Sequence, residues 1–426
     1  MISKIQTEEI SDFKAGDNMS LNATPSSERL HLSFFGMRNA GKSSLVNAVT
    51  NQDTSLVSEI KGTTTDPVKK TMEILPLGPV VITDTPGIDD EGYLGEKRAQ
   101  RAKEIIDSTD FAVLVVDAGI GLSNHDNELI SIFKEKSLPF IIAYNKCDNS
   151  HKIKIHTDHE ILVSAKEHQN INELRELIAK IYASGSKKDK PILDDIIKKG
   201  DLIILVTPID ASAPKGRLIL PQQLILRNII DNDCMAVVCK ETELDKTLKL
   251  LSVTPDLVIT DSQVFGYVNG VLSKDIKLTS FSIIMARYKG ELSALIEGAL
   301  ILKSLKDGDK ILISEGCTHH RQCNDIGTVK MPNWIKEFTG KDLLFDFSSG
   351  ETFPENVSDY SLVVHCGGCM LNAKSMASRL SRCKGSEVPV VNYGVAIAMM
   401  HGILKRSLEI FPEVLKIIDN CEKNNV

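Results

Sequence analysis

"LHLSFFGMRNAGKSSLVNAVT", Leu30 to Thr50, decides the fold of the first part of the chain. The run Leu30 to Phe35 predicts a buried strand. Gly36 to Ser43 then fits G-x-x-x-x-G-K-[ST] in full, and a helix is predicted to follow. Strand, loop and helix in that order are the context this motif requires. Its glycines let backbone N–H groups close around phosphate, and the helix N-terminus adds its dipole. Gly36, Asn39, Ala40, Gly41, Lys42, Ser43 and Ser44 are therefore the expected phosphate loop. Lys42 is expected to reach the β- and γ-phosphates and Ser43 to hold Mg²⁺.

Three more apolar runs end in polar residues of the same kind. "VVITDTPG" ends in Asp84 and Gly87, where a Mg²⁺-supporting carboxylate and a γ-phosphate sensor belong. "FIIAYNKCD" ends in Asn145, Lys146 and Asp148. "ILVSAK" ends in Ser164, Ala165 and Lys166. The C-terminal ends of strands are where open α/β sheets bind ligands. A carboxylate at Asp148 can accept from the N1–H and exocyclic amine of guanine, a donor pair that adenine lacks, so GTP or GDP is the expected nucleotide. Across about residues 28–185 these stretches resemble the GTPase signature set. The resemblance implies slow hydrolysis of GTP, with Lys42, Thr64, Asp84 and Gly87 as its working residues. Thr64 lies in "KGTTTDP", where a threonine usually binds Mg²⁺; Thr63 and Thr65 compete for the role. The pattern G-T-T-R-D of the tRNA-modification and ribosome-assembly GTPases is similar, with Thr65 here in place of arginine. Ile88 stands where Ras-like proteins carry a water-orienting glutamine, and an apolar side chain cannot position water. Asn39 matches the asparagine with which related GTPases bind K⁺, so potassium is expected to supply positive charge at the phosphates.

At 426 residues the chain predicts two or three domains. A net charge of −7 argues against a nucleic-acid partner. The N-terminus lacks the apolar core of a signal peptide, and no apolar run spans a bilayer, so a cytoplasmic protein without membrane contact is expected. In that compartment nine cysteines suggest metal or catalytic chemistry more than a disulfide framework.

The predicted fold class is α/β: a P-loop GTPase domain followed by two smaller α/β domains with largely parallel sheets. The expected division is a polar tail at 1–27, the GTPase domain at 28–187, a middle domain at 188–275 and a last domain at 276–426. The middle part alternates apolar runs with helical patterns and carries no catalytic constellation, which suggests dimerisation or docking. Cys234 and Cys239 flank a strand there and read as core thiols.

In the last part "GDKILISEG", "KDLLFDFSSG", "YSLVVH" and "VPVVNYG" predict four strands. Cys317 follows the first, and Cys366 and Cys369 follow the third, ahead of a helical stretch. In a parallel sheet those ends face one crevice. A redox dithiol would not explain Cys317 or the nearby histidines. Zinc would take Cys317, Cys366, Cys369 and one of His319, His320 or His365. Buried core cysteines are argued against by Gly367 and Gly368. An iron–sulfur cluster on three thiolates fits best.

The order of a GTPase domain, then "CTH" (Cys317, His319), then "HCGGC" (His365, Cys366, Cys369), resembles the HydF family of [FeFe]-hydrogenase maturation GTPases over nearly the whole chain. The resemblance implies a [4Fe–4S] cluster on the three cysteines and a homodimer formed by the middle domain. It implies a scaffold that carries a transient diiron precursor. Radical-SAM maturases would supply the precursor, and apo-[FeFe]-hydrogenase would receive it. His319 and His365 are the candidate fourth ligands, while His320 and Cys323 read as ordinary loop residues. The chain has no C-x-x-x-C-x-x-C signature of its own, so it should not build cluster ligands from amino acids. The rival reading is a GTPase of tRNA modification or ribosome assembly with a structural zinc site.

Overall fold

The computed structural model describes residues 25–50, 68–85, 102–149, 154–185, 190–208, 218–316, 325–350 and 352–424. Its first unit is a six-stranded sheet in the order β2-β3-β1-β4-β5-β6. The strands are β1 (Leu30–Phe35), β2 (Val68–Ile74), β3 (Gly78–Asp84), β4 (Phe111–Asp117), β5 (Phe140–Asn145) and β6 (Glu160–Leu162). Only β2 runs antiparallel, against β3. β1 and β4 are apolar almost throughout and buried on both faces, as strands of a helix-covered parallel sheet must be. Helices α1 (Lys42–Thr50) and α4 (Ile171–Gly185) cover one face; α2 (102–108) and α3 (Asn124–Glu135) cover the other. β1 lies between β3 and β4, so the chain leaves it in opposite directions and a crevice opens at its C-terminal end.

The second sheet, in the order β10-β9-β7-β8, is parallel throughout. It consists of β7 (Leu202–Val206), β8 (Met235–Cys239), β9 (Leu257–Thr260) and β10 (Lys277–Ser280), with helices α5 (Leu220–Asp231), α6 (Leu244–Leu250), α7 (Phe265–Val271) and α8 (Phe281–Lys289). β10 lies beyond residue 275, where the sequence reading ended this unit. "KLTS" is too short and polar to announce a strand, yet it pairs with β9 in full register, and Ser280 caps α8 directly after it. The unit therefore runs to Lys289.

The third sheet, in the order β12-β11-β13-β14, is also parallel throughout. Its strands are β11 (Lys310–Glu315), β12 (Leu344–Ser349), β13 (Leu362–His365) and β14 (Val390–Asn392), at the four places the sequence predicted. Helices α9 (Leu292–Ile301), α10 (Met331–Thr339), α11 (Ala373–Gly385), α12 (Tyr393–Met400) and α14 (Pro412–Asn424) belong to this unit, while α13 (Leu404–Ser407) reaches back onto β10 of the second sheet, where Arg406 donates to Asn269, Ser273 and Ile276. The second and third units share one continuous apolar core, from Leu193 through Phe281 to Ile418. Among the described residues no helix is long and apolar enough to cross a membrane.

Candidate functional site

The loop between β1 and α1 is held in a shape only glycine permits. Gly36 has φ +136°, and a Cβ there would lie 2.2 Å from the carbonyl oxygen of Val115 on β4. Gly41 has φ +91°, and its Cβ would meet the amide of Asn145 at 2.3 Å. Asn39 between them is left-handed at φ 63°, a conformation that asparagine tolerates better than most residues. The Lys42 ammonium folds onto the loop and donates to the carbonyls of Gly36 and Met37, each at 2.9 Å. A phosphate entering this loop would compete for that ammonium.

Ser43 Oγ donates to Asp84 Oδ2 at 2.6 Å, so hydroxyl and carboxylate converge from α1 and β3. Asp84 Oδ1 is buried without a hydrogen-bond partner. Burial pushes the carboxyl pKa up, against the hydrogen bond from Ser43 and the charges of Lys42 and Lys70. An orphaned buried oxygen beside a hydroxyl fits a Mg²⁺ site, because a cation would satisfy it and restore the charged form.

Asn145 ties three loops together. Its amide donates to Ala40 O at 3.0 Å, and its oxygen accepts from the Ala165 N–H at 3.0 Å. Lys146 donates to Asn39 O at 2.6 Å and to Asp117 Oδ2 at 2.8 Å. Ser164 Oγ donates to Asp148 Oδ1 at 2.7 Å and accepts from Glu167 N–H. Lys166 is exposed and pairs with Glu167. Asn39, Asn145, Lys146, Asp148, Ser164 and Ala165 thus form one edge of one crevice. Asp117, which sequence reasoning missed, anchors Lys146 from the end of β4; the available signal was the carboxylate closing "FAVLVVD". Thr64 and Gly87 lie outside the described residues, as do Thr63, Thr65 and Ile88.

The second cluster sits at the ends of β11 and β13, which are adjacent and parallel. Cys366 N–H donates to Ser314 O at 2.9 Å, while the Gly316 N–H donates to Cys366 Sγ at 3.0 Å and that of Gly368 does so at 3.4 Å. A Cβ on Gly316 would press on Leu371 at 2.9 Å, so the two strand ends are in contact. Burial pushes the Cys366 thiol up to about 11, against those two N–H donors. Burial also raises Cys369, with the Lys289 charge opposing it. Asn372 caps α11 directly after the C-x-x-C loop by accepting from Ser375 N–H. Cys317 and His319 lie outside the described residues, as do His320 and Cys323; Cys317 is the residue after Gly316.

His365 is enclosed at the end of β13. It is 2% exposed, and Arg379 Nη1 lies 2.9 Å from its Nε2. A guanidinium only donates, so Nε2 must accept and the ring proton resides on Nδ1, which donates to Cys366 O at 2.8 Å. Both nitrogens are committed, and a metal needs a free lone pair. Burial and the Arg379 charge push the imidazole pKa down to about 3. In this arrangement the His365 ring fixes the backbone of Cys366 and receives Arg379. Cys383 is a buried thiol; Cys234 and Cys239 are half-buried at the two ends of β8.

Comparison with known proteins agrees with this division. The description "50S ribosome-binding GTPase" matches residues 31–146, and "Hydrogen maturase F dimerization domain" matches residues 192–290. "Hydrogen maturase F tetramerization domain" matches residues 293–410. The chain belongs to the hydrogen maturase F family. Its first unit is a GTPase domain. GTPase Der of Kosmotoga olearia is 35% identical over 140 residues, covering 32% of this chain and 31% of that protein. The tRNA modification GTPase MnmE of Clostridioides difficile is 32% identical over 174 residues, covering 39% and 37%. The chain thus spans about a third of the length of these relatives. Era of Aquifex aeolicus, a solved structure, is 17% identical with a TM-score of 0.31, covering 75% of this chain and 93% of that one. In this family the dimerisation match ends at residue 290, one residue past α8.

Proposed function

We propose that the chain is a GTP-hydrolysing scaffold of hydrogenase maturation that holds an iron–sulfur cluster on Cys317, Cys366 and Cys369. The observation that carries the reading is the contact of the two strand ends. The Gly316 amide sits on Cys366 Sγ, and Cys317 is covalently next. The donor set fits an anionic cluster: half-buried thiols, two amide N–H groups aimed at one sulfur, and the Lys289 ammonium beside the loop. Binding iron displaces the thiol protons that burial retains, so loading is proton-coupled. A cluster held by three thiolates leaves an iron position through which a diiron precursor could attach as cargo. With His365 committed to Arg379, the remaining protein candidate for that position is His319.

In the GTPase domain, the phosphate loop and Lys42 bind and orient the nucleotide, Asp148 selects guanine, and Ser43 with Asp84 would hold Mg²⁺. Mg²⁺ there neutralises charge on the phosphates. Asn39, exposed and left-handed at the loop apex, is the candidate K⁺ contact. The supply of precursor by radical-SAM maturases, its delivery to apo-[FeFe]-hydrogenase and the homodimer belong to the same reading.

Anaerobic reconstitution with iron and sulfide tests it. The expected product is brown and carries about four irons per chain, with a reduced EPR signal of a [4Fe–4S] centre. A colourless protein with one zinc per chain would remove the reading.

A further inference from the structure

The GTPase domain touches the cysteine loop through buried polar contacts. Lys289, the last residue of α8, has a side chain only 2% exposed. It donates to Leu371 O at 3.0 Å and lies 3.5 Å from Cys369 O, so it grips the backbone of the C-x-x-C loop. Its counter-charge comes from the other domain: Glu28, just before β1, places Oε1 at 2.8 Å, a close ion contact without hydrogen-bond alignment. Tyr288 donates to the other Glu28 oxygen at 3.1 Å. A buried ammonium stripped of its carboxylate is strongly unfavourable, so Lys289 and Glu28 must move together or separate at a cost.

A second strut runs beside the first. Asn372, the cap of α11, donates to Ser108 O at 2.8 Å and approaches Asp110 Oδ2 at 3.4 Å. Asp110 also accepts from the His31 N–H at the start of β1. At the start of α11 Lys374 reaches Lys136 O, and near its end Arg382 pairs with Asp107, which Lys136 also holds. Asp107 and Ser108 end or adjoin α2, the helix whose chain leads back to Asp84 and Gly87. The strand that begins at the strut, β1, ends at Phe35, directly before Gly36 of the phosphate loop.

We propose that this face is the coupling element of the protein: the GTPase domain clamps the Cys366–Cys369 loop through Glu28–Lys289 and Asp107/Ser108–α11, so nucleotide state sets how tightly that loop is held. Lys289 is a positioning residue, acting through the carbonyls of the loop. The inference rests on the proposed function only for what the thiols hold.

The experiment is hydrogen–deuterium exchange on the full metal-free chain, reduced and anaerobic, with GDP and with a non-hydrolysable GTP analogue. In the wild type, peptides spanning 366–380 should exchange at rates that differ by at least ~5-fold between the two nucleotides. Glu28→Gln should speed exchange there in both states and abolish the difference, leaving the β12 peptide at 344–349 unchanged. Arg382→Gln should act in the same direction, which covers the case that Glu28→Gln does not fold. No nucleotide difference in the wild type, or a difference that survives both substitutions, overturns the proposal. Normal iron loading without the exchange effect rejects the clamp alone. The exchange effect without iron loading rejects the cluster reading alone.

Discussion

The phosphate loop after β1 and the cysteine loop after β13 are built on one plan and put to different use. Each follows a buried parallel strand, turns on glycines and enters a helix. Each is gripped by a lysine that donates to its carbonyls: Lys42 to Gly36 and Met37, Lys289 to Leu371. The difference lies in where each lysine comes from. Lys42 belongs to its own loop, next to the site a phosphate would fill. Lys289 comes from the preceding unit and is neutralised by a third segment, Glu28. The first loop is therefore arranged to respond to an incoming anion, and the second to respond to the position of another domain.

The comparison breaks most visibly if each loop is disabled alone. Lys42→Ala should lower kcat/KM for GTP by ~100-fold or more while iron loading continues, since the ammonium is aimed at transferred phosphate. Cys366→Ser should reduce reconstituted iron to near background with GTP hydrolysis within about twofold of wild type. Loss of hydrolysis in that variant would contradict the separation of the sites. The glycines sharpen the contrast. Gly36→Ala should empty the nucleotide site, because its Cβ would strike backbone at 2.2 Å. Gly368→Ala, at φ +62° against the flexible end of Met376, should cost about 1–2 kcal/mol in urea unfolding. Equal effects would mean the two turns are alike after all.

Replacing Na⁺ by K⁺ should raise turnover several-fold, with Asn39→Ala removing the response; unchanged rates would dismiss Asn39. The smallest effect is on pH. His365 is neutral and depressed to about 3 from 6.5, so its stabilising contribution is complete above 6.5 and is lost as pH falls toward 3. Cys366 is raised from 9.0 to about 11, so its contribution is complete below 9.0 and is lost as pH rises toward 11. Thermal melts of the metal-free protein should fall at both ends, and His365→Gln should flatten the acid limb.

Much of this was legible in the chain because it is local. A P-loop is contiguous, and long apolar parallel strands such as "FAVLVVD" announce themselves. The convergence of β11 and β13 followed from parallel architecture. What was hidden is tertiary. Glu28 and Lys289 are ordinary charges until the fold brings them together. His365 carries the residue type of a ligand, and only the fold reveals that Arg379, a turn and more into α11, meets its Nε2. β10 escaped notice because four residues with little apolar content become a strand only when β9 supplies the partner.

The continuous core from Leu193 to Ile418 has a consequence for taking the protein apart. Three family descriptions divide the chain at two places, but the physical seams are unequal. The seam at the GTPase domain is held by Glu28, Asn372 and Arg382, groups that water can satisfy in turn. The seam near residue 290 is oil against oil, with Phe281 and Ile284 of α8 inside it. A cut between the first and second units should yield two soluble pieces. A cut between the second and third should yield two insoluble ones, so this three-part protein has two workable halves.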